Sequence, residues 1–184
     1  MTLPPMRAPL SAEHKHAATR IGALAYGLWY LGWQLFSTGF VVLVVGLLLG
    51  GVFGIVEAAD AAPLLSTTLD SIGDPGLWVG LLVAAMLVGV VLLGVAVYSS
   101  GRRLAARGVV RPWGVTWAAL GASVVTGTVV GWIVGIPFSL LKWLIPGVGT
   151  VVFGSIEFLL GLATAVTLGW FAWWWMAHLL RARQ

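Results

Sequence analysis

The chain has 184 residues, 60% of them hydrophobic and 9% charged, with a formal net charge of +4, whereas an average soluble domain carries about 25% charged residues. A fold of this size has too little interior to hide so much apolar side chain, which excludes a soluble globular domain. The basic excess does not point to nucleic acid, because the ten Lys and Arg sit in short clusters beside apolar runs and form neither a stripe nor a basic domain.

Residues 21–56, 77–98 and 112–136 carry no charge, and each run exceeds the roughly 17–20 residues that cross a hydrocarbon core. These runs, with a fourth from Thr150, predict an all-α integral membrane four-helix bundle. As one helix, 21–56 would measure roughly 54 Å against a core of about 30 Å. The reading therefore divides it: Ser11 caps an amphipathic interfacial helix over 12–32, with Tyr26, Trp29, Tyr30 and Trp33 at headgroup level. Residues 1–32 are then a cytoplasmic N-terminus and interfacial helix, and 33–184 a four-span transmembrane domain. Its spans run over about 33–56, 77–98, 113–136 and 150–176.

The first crossing contains "GLLLGGVFG", which spaces Gly46, Gly50 and Gly54 four apart. "EAADAAPL" after it contains a small-x-small pattern, but the segment before the apolar core is too long for a secretory leader, so the helix reads as a permanent span. In the loop that follows, Asp60 can cap a short helix whose Leu65, Leu69 and Ile72 share one face, with Gly73 as its stop. The second crossing leads to Arg102, Arg103, Arg107 and Arg111. The third carries five small residues at four-residue spacing, Ala119, Ser123, Gly127, Gly131 and Gly135, a pattern that brings helix backbones together in lipid. A shorter set, Gly161, Ala165 and Gly169, lies on the fourth.

"IPFSLLKWLIPGVGT" is bracketed by Pro137 and Pro146, so it is expected to leave the third span and lie flat or re-enter. The fourth crossing ends in "WFAWWWMAHLLRARQ", where Trp170, Trp173, Trp174 and Trp175 are expected to anchor at the headgroup boundary. Basic residues cluster before the first span, between the second and third, and after the fourth. Residues 57–76 hold Glu57, Asp60, Asp70 and Asp74 without a basic residue. The positive-inside rule then places both termini in the cytoplasm. Arg-rich, Ala/Val/Gly/Leu-dominated composition fits a bacterial cytoplasmic (inner) membrane.

Few residues carry chemistry. Absence of cysteine removes disulfides, thiolate metal sites and thiol redox steps. His14, His16 and His178 lie outside the expected membrane core and have no metal-ligand spacing, so no metal and no cofactor is expected. No Gly-x-Ser-x-Gly or phosphate loop occurs.

The exception is Glu157, roughly 10 Å into the fourth span, where a carboxylate costs on the order of 2–3 kcal/mol unless it pairs or meets water. Lys142 is its expected partner and Glu57 a neighbour, which together form a candidate ion or substrate site. The reading that follows is a small, non-catalytic accessory or assembly subunit of a membrane complex. Its partners are membrane lipids and other membrane subunits or copies of itself. A small oligomeric transporter or channel with an outer acidic site is the alternative, and a lipid- or quinone-handling enzyme using Asp70, Asp74 and Glu157 comes third.

Overall fold

A computed structural model describes residues 11–57, 75–144 and 150–180. Four helices make up nearly all of it: α1 (Ala12–Glu57), α2 (Pro75–Ala106), α3 (Pro112–Leu144) and α4 (Thr150–Leu179). No strand occurs among the described residues. At 1.5 Å per residue the helices measure about 45 to 69 Å, and all four are long and apolar enough to cross a membrane. The loop helix expected from Asp60 falls outside the described residues.

The helix ends follow local chemistry. Ser11 caps α1: its Oγ accepts the His14 backbone N–H at 3.2 Å, and its carbonyl accepts that of Lys15 at 3.0 Å. Both α2 and α3 begin on a proline, whose missing N–H costs nothing in a first turn. Gly108, with φ 70°, ends α2 in a Schellman turn. In it the Val109 N–H bonds the Leu104 carbonyl at 3.1 Å and the Gly108 N–H that of Ala105 at 3.0 Å. The apolar contact this motif favours is supplied by Leu104 and Val109, both buried in the core.

Two expectations about the elements are corrected. Helix α1 runs unbroken through Trp33, so 12–32 is not a separate interfacial helix. Its isolated glycines each cost about 1 kcal/mol of helix propensity, and no proline interrupts the backbone ladder. Tyr26, expected among headgroups, is only 7% exposed and belongs to the core. Likewise α3 does not break at Pro137 but continues to Leu144. A proline removes one ladder bond, and inside a long membrane helix neighbouring groups absorb that loss. One turn around it, Ser139 Oγ donates to the Gly135 carbonyl at 2.9 Å.

The chain divides into two compact units, Met1–Tyr30 with Leu93–Gln184, and Leu31–Leu92. All four helices contribute to the core of the first. Its fourteen buried residues include seven alanines, Ala17, Ala18, Ala25, Ala119, Ala165, Ala172 and Ala177, so close backbone approach, more than bulky interdigitation, holds the helices together. Among the described glycines the closest backbone approach is at the α1–α4 crossing, where a Cβ added to Gly22 would meet the Gly169 carbonyl oxygen and the Cβ of Trp173. In the second unit the same device joins α1 to α2: a Cβ on Gly89 would lie 2.6 Å from the Gly32 carbonyl oxygen and 2.8 Å from the Phe36 nitrogen.

Candidate functional site

Lys142 stands in the last turn of α3 and Glu157 in the second turn of α4, so a short connection folds them back on each other. Lys142 Nζ donates to Glu157 Oε2 at 2.5 Å. One turn away on each helix stand Phe138 and Phe153, whose rings meet edge to face with centroids 6.3 Å apart. Phe153 is buried, whereas the charged side chains are 36% and 46% exposed, which places the pair on an open flank of the hairpin. Pairing neutralises a carboxylate that would be costly in contact with hydrocarbon. Glu57 ends α1, and its side chain lies outside the described residues. Two of the three expected site residues are therefore brought together. Among the described residues no group of three His, Asp or Glu side chains could hold a metal ion.

The small-residue stripe of α3 has two fates along its length. Ala119 and Ser123 are buried, and a Cβ on Gly127 would fall 2.8 Å from Tyr26 Oη, so this half packs against α1. Tyr26 Oη also donates to the Ser123 carbonyl at 2.8 Å. Among the described residues, Gly131 and Gly135, in contrast, have nothing within 4 Å of an added Cβ, and the same is true of Gly46 on α1. Gly50 and Gly54 continue α1, but their surroundings lie outside the described residues. The shorter α4 set is used throughout: Gly161 faces Tyr30, Ala165 is buried, and Gly169 meets Gly22 and Tyr26.

The sequence reading missed a buried hydroxyl chain. Trp173 is not a headgroup anchor: it is 1% exposed and the largest fully buried side chain. Its Nε1 donates to Ser100 Oγ at 2.8 Å, Ser100 Oγ lies 3.1 Å from Thr116 Oγ1, and Thr116 Oγ1 donates to the Pro112 carbonyl at 3.0 Å. Because the single Thr116 hydroxyl proton is committed to Pro112, Ser100 is the donor to Thr116, and the three bonds run in one direction from α4 through α2 to α3. Two turns along α3 from Thr116, Ser123 Oγ is buried without a hydrogen-bond partner among the described residues. The crevice beside this chain, lined by Ala25, Trp29, Ala96, Val97, Thr116, Leu120 and Trp173, is too tight for a water molecule. The available signal was Ser100 and Thr116 themselves, since a hydroxyl inside an apolar span needs a partner on its own or a facing helix.

No protein-family model matches the chain, and no curated protein or solved structure is similar to it. Its class therefore rests on the helices: this is a multi-pass helical membrane protein.

Proposed function

We propose that the chain is a non-catalytic accessory or assembly subunit of a membrane complex, carried in a bacterial cytoplasmic membrane with both termini inside. The observation that supports this is the open half of the α3 stripe. A small-residue face that buries Ala119 and Ser123 against its own chain continues into Gly131 and Gly135, where among the described residues nothing lies within 4 Å of an added Cβ, flanked by Trp132 at 72% exposure. In lipid such a face gains little from solvent exclusion and gains much from another helix that packs closely on it.

The test is gentle extraction of the tagged chain from its native membrane, followed by intact-mass measurement. A heterocomplex of constant stoichiometry is expected. Gly131→Val with Gly135→Val should release the partner while the chain stays folded, and isolation of the unmodified chain alone would overturn the proposal.

The transporter or channel reading is favoured by one observation, the Lys142–Glu157 pair on the open flank of the α3–α4 hairpin. It requires a closed homo-oligomer and a solute or ion flux in liposomes that Glu157→Gln abolishes.

A further inference from the structure

The α2–α3 turn and the start of α1 meet at a strongly basic end of the first unit. A Cβ on Gly108 would sit 3.8 Å from His14 Nε2, and Lys15 Nζ lies 5.4 Å from the ring centre of Trp174. On the turn and the end of α2, Arg102, Arg103, Arg107 and Arg111 are all exposed, and Glu13 is the only carboxylate on these segments. Arg103, Arg107 and Arg111 make no side-chain hydrogen bond or ion pair among the described residues.

Arg111 is also the only described non-glycine residue with positive φ, at 53°, and it precedes Pro112. A side chain in this region carries a conformational cost that glycine would avoid, and such outliers concentrate where a side chain has a task. Directly beside the turn is an aromatic face: the Arg102 guanidinium lies 5.7 Å from the Tyr98 ring centre and donates to Tyr98 Oη at 3.3 Å, and the Tyr98 and Trp113 rings are 6.3 Å apart. Val110, Trp113 and Trp117 are exposed.

We infer that the α2–α3 turn binds the headgroup phosphate of an anionic phospholipid, with Arg107 and Arg111 contacting the phosphate and Tyr98 and Trp113 lying against the upper acyl chains. Guanidinium groups suit phosphate because they are weakly hydrated and present paired donors. A lipid fits better than a soluble anion because the arginines adjoin exposed aromatic and apolar side chains, and only a ligand that joins a phosphate to hydrocarbon satisfies both. The inference depends on the membrane class of the protein and not on its being an accessory subunit.

The experiment is native mass spectrometry of the delipidated full chain in neutral detergent, supplied with equal amounts of phosphatidylglycerol and phosphatidylcholine. Each basic group at a membrane surface contributes about five-fold to binding of an anionic lipid, so Arg107→Gln with Arg111→Gly should lower the anionic preference by about 25-fold. Arg20→Gln, on α1 and outside the turn, should lower it by less than the five-fold expected of one phosphate-contacting arginine.

Arg111→Gly alone should lower lipid retention while the thermal midpoint holds or rises, which separates lost binding from lost folding. Three results would overturn the inference. They are no anionic preference in the unmodified chain, an equal loss on Arg20→Gln, and displacement of the lipid by millimolar inorganic phosphate.

Discussion

Trp173 and Glu157 stand on one helix but solve opposite problems, one burying a large ring with a polar edge and the other carrying a charge on an otherwise apolar helix. For Trp173 the solution is the bond to Ser100, which leaves no donor in the chain to Thr116 and Pro112 unused. Hydrogen bonds between membrane helices contribute about 0.6 kcal/mol on average and up to about 1.7. A double-mutant cycle on Trp173→Phe and Ser100→Ala, read by reversible unfolding in micelles, should return a coupling near the upper end of that range, because both groups are sealed from solvent. A coupling of zero would show that the bond is not made.

For Glu157 the solution is Lys142. Lys142→Met or Glu157→Leu alone strands one charge and should cost about 2–3 kcal/mol. The double variant should recover most of that loss, since replacing both members of an ion pair by apolar groups is often neutral. If both single variants are as stable as the parent chain, the pair has no structural role.

At the scale of the helix, what matters is whether a small residue has a neighbour. An added methyl at Gly22 would meet backbone oxygen and the Cβ of Trp173, neither of which can rotate away, so α1 and α4 would have to separate. Gly22→Ala should therefore destabilise the isolated chain by about 1–3 kcal/mol, the usual cost of overpacking. Gly131→Ala, on the open stretch of α3, should leave it unchanged or stabilise it by up to about 1 kcal/mol through helix propensity. Thermal unfolding of the two variants in the same detergent decides the matter, and equal effects would mean that the α1–α4 contact is not close.

For the whole molecule, the charge distribution predicts through the positive-inside rule that both termini face the cytoplasm. The chain contains no cysteine, so single-cysteine variants can be labelled without background. Ala105→Cys, beside the arginine-rich turn, should react with a membrane-impermeant maleimide only from the cytoplasmic side, and Ser71→Cys only from outside. The reverse pattern would invert the orientation and place the basic end, with its lipid site, on the outer face.

Class, the number of helices able to cross a membrane and the Lys142–Glu157 pairing were legible in the chain, because uncharged length is a property of each segment by itself and because Lys142 and Glu157 are joined by a short connection. The continuity of α1 through Trp33 and of α3 through Pro137 was not. A length argument assumes that a helix stops at the membrane boundary, whereas a helix stops only where its backbone ladder is broken or a better partner is offered. Trp173 has the same hydropathy as its neighbours Trp174 and Trp175, and Gly169 the same as Gly131. Which of them is buried depends on how closely two backbones approach, and that distance is set by the packing of several helices at once, a many-body outcome that no single segment encodes.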